Sequence, residues 1–370
     1  MSKYRLGDVV KVISERVDNP ANCEYNRFVG LEHYVSGEVE IKNYGSTDLL
    51  KSAMKVFRTG DILIARRNVY LKRASIVNFD GITSGDSIVL RVEDKLLRSL
   101  LPFVLNSDNF WEYAEKFSDG TMSKRLSPKV LLEYEFMLPE WEEQDKLLEI
   151  LWSNTRTKEA YKKLLFLTDE FIKSQFIEMF GDPVKNERGW KTDLLKNVAP
   201  EQAPEIKKMN RVWWLNLDMI ESNSGQLIEK VMVYPEDVGN STSTFDSSMV
   251  LYSKLRPYLN KVFLPDDEGY RTTELVGMKP DRLRLNKVFL AYLLRGDEFV
   301  DYANSISGGA QMPRMPMKIL REFKCILPPM DLQDKFFKLT QETNKSKLEL
   351  KQNIYNIEKI AKDIMLKAFM

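Results

Sequence analysis

The chain has 370 residues, 43% of them hydrophobic and 29% charged, with a formal net charge of +1. That balance describes a globular protein with buried cores and excludes a disordered, fibrous or strongly basic one, and the length suits two domains. No run approaches the roughly 18 consecutive apolar residues that a spanning helix needs. Met1-Ser2-Lys3-Tyr4-Arg5 leads into a strand-like stretch without a signal-peptide core. Two cysteines, Cys23 and Cys325, are too few for a disulfide framework or a thiolate metal site, and the expected compartment is a reducing cytoplasm.

In chain order, the first 140 or so residues read as short strands, such as Asp61-Ile62-Leu63-Ile64-Ala65 and Ser87-Ile88-Val89-Leu90-Arg91, broken by Gly, Asn and Asp. Between them lies Arg66-Arg67-Asn68-Val69-Tyr70-Leu71-Lys72-Arg73, four cations around an aromatic residue. A glycine-containing loop follows, Phe117-Ser118-Asp119-Gly120-Thr121-Met122-Ser123-Lys124-Arg125-Leu126. Leu138-Pro139 then marks a boundary. From about Glu142 to Phe180, the residues Leu147, Ile150, Leu151, Tyr161, Leu164, Phe171 and Ile172 recur at helical spacing without internal Gly or Pro. Gly181-Asp182-Pro183 stops that helix.

The second half answers the first at a period near 189 residues, which is a duplicated domain and not a solenoid repeat. Leu251-Tyr252-Ser253-Lys254 and Tyr258-Leu259 parallel Leu63 to Arg66 and Tyr70-Leu71, one residue out of phase with the later matches. Ile306-Ser307-Gly308-Gly309-Ala310-Gln311-Met312-Pro313-Arg314-Met315 answers the glycine-containing loop. Lys318-Ile319-Leu320 answers Lys129-Val130-Leu131, and Leu327-Pro328 with Gln333-Asp334-Lys335 answers Leu138-Pro139 with Gln144-Asp145-Lys146.

A second helix is expected from about Leu332 to the C-terminus. Phe336, Thr343, Leu350, Ile357 and Ile364 recur every seven residues, each followed four residues on by Thr340, Lys347, Ile354, Ala361 or Ala368. This is a coiled-coil seam weakened by polar members; two amphipathic helices packed on their own domains is the plainer alternative. If the second globular part has neighbouring termini, the two helices run antiparallel and form a rod of roughly 50–60 Å with a globular part at each end.

The search for catalytic chemistry returns little. His33 is the only histidine, which rules out a multi-histidine metal site and suits a structural role. No Walker-type phosphate loop is present. Asn19-Pro20-Ala21 lacks the second proline and the aromatic residue of the amino-methyltransferase motif, and no G-x-G loop follows a strand. No cofactor or metal is expected. The cations are the remaining lead: Arg66, Arg67, Lys72 and Arg73 with Ser123, Lys124 and Arg125 in one half, and Lys254, Arg256 and Lys261 with Gln311 and Arg314 in the other. Any one such run is usually a solvated face. Recurrence in both halves beside a glycine turn points to DNA, because Arg and Lys neutralise phosphates while Arg, Asn and Gln also bond base edges. Near-neutral net charge permits this when the cations share a face.

In this order and spacing, the sequence resembles the specificity subunits of type I restriction-modification systems over nearly its whole length. The carrying features are the duplicated G-x-x-x-x-R loop (Gly120 to Arg125, Gly309 to Arg314), the Leu-Pro then Gln entry to each helix, and Phe180-Gly181-Asp182-Pro183 followed by Asn186 and Gly189-Trp190. The chain departs from the common pattern at Glu140-Trp141 and at Leu332-Gln333. The resemblance implies an α+β fold with two similar mixed α/β target-recognition domains, joined by two long antiparallel helices in a pseudo-twofold repeat. Residues 1–140 and 183–328 would be the domains, and 141–182 and 329–370 the spacer helices. It further implies a non-catalytic subunit that reads a bipartite, asymmetric site on double-stranded DNA. Its expected partners are two DNA adenine methyltransferase subunits and ATP-driven restriction subunits. Two alternatives stay open: a stand-alone DNA-modifying enzyme with an unrecognised site, and an adaptor that binds only protein.

Overall fold

A computed structural model describes every residue except 122, 208, 310 and 370. Met122 and Ala310 of the matched loops therefore lie outside the described residues. The chain forms two compact units, Met1–Lys162 with Lys351–Met370, and Lys163–Leu350. The division passes through both long helices, so each unit owns one end of each.

In the first unit a five-stranded sheet has the order Lys11–Ile13, Ser87–Arg91, Ile62–Ala65, Ala74–Val77, Glu40–Ile41. Ile62–Ala65 is an apolar run buried on both faces, as a strand covered on two sides requires. A smaller outer sheet runs Arg16–Val17, Met54–Phe57, Gly81–Thr83, Phe28–Val29. Helices Lys95–Val104 and Asp108–Phe117 start on Asp94 and Ser107, whose side chains accept from the N–H groups of Leu97 and Phe110. Such caps satisfy donors that a helix start leaves unpaired.

The second unit repeats this plan. A three-stranded sheet has Val250–Ser253 between Val262–Phe263 and Leu275–Met278, and an outer sheet runs Val231–Val233, Val212–Leu215, Gly269–Thr272, Thr242–Phe245. Asn286 caps Lys287–Arg295, and Asp297–Ile306 follows. The outer sheets also share a close approach. A Cβ at Gly81 would press on the Phe57 ring, and one at Gly269 on the Phe245 ring.

The long helices are Trp141–Phe180 and Met330–Phe369. In the first unit Leu147, Leu151 and Trp152 share a core with Ile364, Met365 and Phe369. In the second, Ile172, Phe176 and Phe180 share one with Phe336 and Leu339. Within each unit the start of one helix thus meets the end of the other, which is antiparallel packing. The heptad positions from Phe336 to Ala368 are all buried or half-buried. Of the apolar residues that set the period of the first helix, Leu147, Leu151 and Ile172 are buried, whereas Ile150, Leu164 and Phe171 are exposed.

The boundary motifs have a physical cause. Gln144 and Gln333 are buried, and each side-chain amide donates to a proline carbonyl, Pro139 O at 2.9 Å and Pro328 O at 2.8 Å. Gln333 also donates to Arg284 O at 3.1 Å and accepts from the Asn286 N–H at 2.9 Å. Past the first helix, Gly181 takes φ +75°, a left-handed conformation that costs glycine little. The Trp190 indole then donates to Phe180 O at 2.8 Å, while Asn186 Oδ1 accepts from the Trp190 N–H at 2.8 Å.

Glu38 binds the first long helix to the first unit. Its carboxylate accepts from Lys162 and lies 3.1 Å from Lys158 Nζ, with Glu38 and Lys158 both mostly buried. Burial works to raise its pKa, but the two lysines outweigh it and hold the carboxyl below the usual carboxylate range. A depressed carboxylate contributes stability above its unfolded pKa and loses it as pH falls through the folded value. Glu38→Gln should therefore cost about 1–3 kcal/mol near neutral pH. The gap from the parent protein should close below about pH 4.3, in urea titrations run across a pH series.

Candidate nucleic-acid interface

The two cation-bearing loops are built alike, atom for atom along the backbone. Asn68 and Lys72 flank the 3-10 turn Val69–Leu71 with φ +56° and +46°; Arg256 and Asn260 flank Pro257–Leu259 with +49° and +48°. Left-handed conformations are uncommon outside glycine, and Asn tolerates them best. Each turn is then sewn to the glycine-containing loop. Asn68 N–H donates to Lys124 O at 2.9 Å and Leu126 N–H to Arg66 O at 2.8 Å. In the second unit Arg256 N–H donates to Pro313 O at 2.7 Å and Met315 N–H to Lys254 O at 2.8 Å. Gly120 and Gly309 make the corresponding turns at φ +98° and +108°.

This construction brings Arg66, Arg67, Lys72, Ser123, Lys124 and Arg125 together on the first unit, and Lys254, Arg256, Gln311 and Arg314 on the second. Their surroundings differ from bare cations. Arg67 and Arg125 straddle Asp86 at 3.8 and 3.6 Å, and Arg67 Nε donates to Ser123 Oγ at 3.3 Å. Lys72 pairs with Asp108 at 2.8 Å, Lys124 donates to Glu115 O at 2.8 Å, and Arg314 pairs with Glu274 at 3.0 Å. Asp86 and Glu274 occupy matching places, their carbonyls accepting from the N–H groups of Arg66 and Lys254. These acids escaped the sequence analysis, although they recur at the same offset as the loops.

Two of the expected residues point inward. Arg73 is 9% exposed and donates to Leu31 O at 3.0 Å and Arg67 O at 2.9 Å. Lys261 donates to Leu217 O at 2.7 Å, and burial lowers its pKa. Both brace a 3-10 turn, Leu31–His33 or Leu217–Met219, Arg73 from a buried position and Lys261 from a half-buried one. What the loops present instead are matched tyrosines, Tyr70 at 58% and Tyr258 at 49% exposure, beside the cations. Their recurrence as Tyr-Leu was visible in sequence, but not their orientation.

Other reactive groups serve the fold. His33 Nδ1 accepts from the Gly30 N–H at 2.9 Å, closing its own turn. Burial pushes the Cys325 thiol up to about 12, far from a reactive thiolate. Among the described residues no group of three or more His, Cys, Asp or Glu could hold a metal ion, and no helix is long and apolar enough to cross a membrane.

No family model matches the chain. Over 191 residues it is 23% identical to the specificity subunit of the type I restriction enzyme EcoDI from Escherichia coli, a stretch covering 50% of this chain and 42% of that subunit. The match thus spans less than half of that relative's length. Whole-chain likeness comes from solved structures. A chain in a structure of the assembly and conformational transition of a type I restriction-modification system has a TM-score of 0.57 at 17% identity, covering 99% of this chain and 97% of that one. The S subunit of a type I restriction-modification system from M. genitalium has a TM-score of 0.57 at 13% identity, covering 100% and 96%. The fold is that of type I restriction-modification S subunits: two mixed α/β domains with a pair of long helices.

The inward cation gives a test of the site's anatomy. Arg73→Ala strands two carbonyls and should cost about 2–4 kcal/mol, whereas Arg67→Ala on the surface should stay within about 0.5 kcal/mol. Urea midpoints of the two variants decide it; equal midpoints would remove the brace.

Proposed function

We propose that the chain is the sequence-reading subunit of a type I restriction-modification complex, without catalytic chemistry of its own. The observation that carries this is the matched loop pair: two units hold the same backbone construction, each presenting cations and an exposed tyrosine. Residues 1–140 and 183–328 each read one half of a bipartite site on double-stranded DNA. The helical stretches 141–182 and 329–370 space the halves. Arg66, Arg67, Lys72, Ser123, Lys124 and Arg125, with Lys254, Arg256, Gln311 and Arg314, are the contacts to DNA; Arg73 and Lys261 act by holding the loops in shape.

Methyl transfer and cleavage then fall to partners, two DNA adenine methyltransferase subunits and restriction subunits in the cytoplasm. An apolar patch on the first long helix supports protein assembly: Leu164, Phe166, Leu167 and Phe171 all stand exposed, Phe166 at 63%. Contiguous exposed apolar side chains are commonly interaction surfaces.

Mapping methylated adenines in the native host, with and without the chain, tests the proposal. A bipartite, non-palindromic methylated motif should vanish with the chain; an unchanged methylation map sinks the idea. Salt dependence tests the contacts. Arg67→Ala or Arg125→Ala should each reduce the slope of log affinity against log salt by about 0.9, since one phosphate contact releases its condensed counterion. Asp86→Asn, which frees both arginines, should tighten binding at low salt. A chain that assembled with partners yet showed no DNA dependence on any of these would be a protein-only adaptor.

A further inference from the structure

The outer sheets carry a second set of cations, unlike those of the loops. In the first unit the Arg27 guanidinium lies 5.1 Å from the Tyr44 ring centroid and 5.3 Å from that of Phe79. The rings themselves are 5.2 Å apart, and Phe79 leans on Phe57 of the core at 5.8 Å. Arg27 is half-buried and Tyr44 exposed. Among the described residues no carboxylate pairs with Arg27 and no acceptor takes its side-chain donors. The nearest charge influence is weak: Asp80 is held below the usual carboxylate range chiefly by Thr59 hydrogen bonds, with Arg27 contributing least. Its backbone is fixed too, since the Ile82 N–H donates to Arg27 O at 3.0 Å.

Two rings within 5.3 Å hold the guanidinium against an aromatic surface without using any of its N–H donors. An arginine held this way has lost most of its side-chain freedom before any ligand arrives, while keeping a two-pronged donor edge. That edge matches the O6 and N7 acceptors of guanine in the major groove. Three of the loop arginines differ in kind: Arg67, Arg125 and Arg314 are each answered by a carboxylate within 4.0 Å.

The second unit shows the same place re-equipped. Phe28 pairs in parallel with Ile82 and bridges Gly45; Trp214 pairs in parallel with Tyr270 and opposes Val231. By this register Arg27 corresponds to Trp213 and Tyr44 to Lys230. The cation and the ring have changed strands: Lys230 Nζ sits 4.3 Å from the Trp213 centroid, and Asp267 holds that lysine at 3.1 Å. Arg211, two residues before Trp213, lies 4.8 Å from the Tyr234 ring, and among the described residues no carboxylate pairs with it. Among the described residues its side chain makes one hydrogen bond, a long one to the Tyr234 hydroxyl at 3.5 Å. The backbone plan is kept and the presented chemistry is altered, as expected where two units of one origin face different partners.

We propose that Arg27, gripped by Tyr44 and Phe79, reads a guanine in one half-site, and that Arg211 on Tyr234 reads a guanine in the other. This rests on the proposed DNA-reading function and names the side chains that carry its specificity.

The test replaces the chromosomal copy in the native host by Arg27→Gln, Arg211→Gln or Tyr44→Leu and sequences methylated adenines. Arg27→Gln should relax or change one G·C pair in one half of the motif, lowering preference for that pair about 5- to 100-fold. Arg211→Gln should do so only in the other half, and Tyr44→Leu should weaken discrimination at the same pair as Arg27→Gln. Continued recognition of the untouched half reports that each variant folds. An unaltered motif, an even loss of methylation at all sites as for a phosphate contact, or a parent motif with no G·C pair in one half would each overturn the assignment while leaving the DNA-reading function standing. Methylation that never depended on the chain would end both.

Discussion

Each long helix is aimed by one buried glutamine. A 40-residue helix is about 60 Å long, so a few degrees at its first turn become several ångströms at its last. Gln144 and Gln333 fix that first turn by donating to Pro139 O and Pro328 O. The prolines follow strands Glu135–Leu138 and Lys324–Ile326, which pair with Ser2–Arg5 and Thr192–Leu194. The helix direction is thereby referred back to a strand pair at the base of each globular part. An apolar side chain of similar size would fill the space but leave the proline carbonyl buried without a donor, a larger cost than the bond itself is worth.

Above that shared base, the units divide their labour between backbone and side chain. The loop cations stand on closely similar backbone scaffolding, and Arg67, Arg125 and Arg314 are paired with acids at matching positions, Asp86 and Glu274. Exposed ion pairs of this kind contribute little to stability, which makes them exchangeable: a phosphate can take the carboxylate's place at low cost. The arginines of the outer sheets are restrained by rings instead of acids. On the proposed DNA-reading function, one arrangement suits attraction to any duplex, and the other suits a choice among base pairs.

Much of this architecture was legible in the sequence because its causes are local. Seven-residue spacing announces a helical seam, Gly181-Asp182-Pro183 announces a stop, and a doubled Leu-Pro with Gln announces a doubled junction. The G-x-x-x-x-R loops were legible as a repeat, and the structure gives them a reason in Gly120 and Gly309 with positive φ. Side-chain direction was not legible. Arg73 and Arg67 belong to one cationic run, yet one turns inward to two carbonyls and the other outward, since alternation along an irregular turn follows no simple period. Arg27 was invisible for a different reason. Its partners Tyr44 and Phe79 are brought to it by strand pairing, and no spacing along the chain encodes a ring above a guanidinium.

The sewing of the loops has an evolutionary consequence. Asn68 and Arg256, and likewise Lys72 and Asn260, hold the same left-handed positions with unlike side chains, because the bonds that fix the turn run from main chain to main chain. Shape and chemistry are therefore inherited separately. A lineage can rewrite the outward side chains one at a time while the turn beneath them persists, and each intermediate still folds. Diversity at this surface is cheap to explore, and two copies in one chain let one drift while the other stays in service.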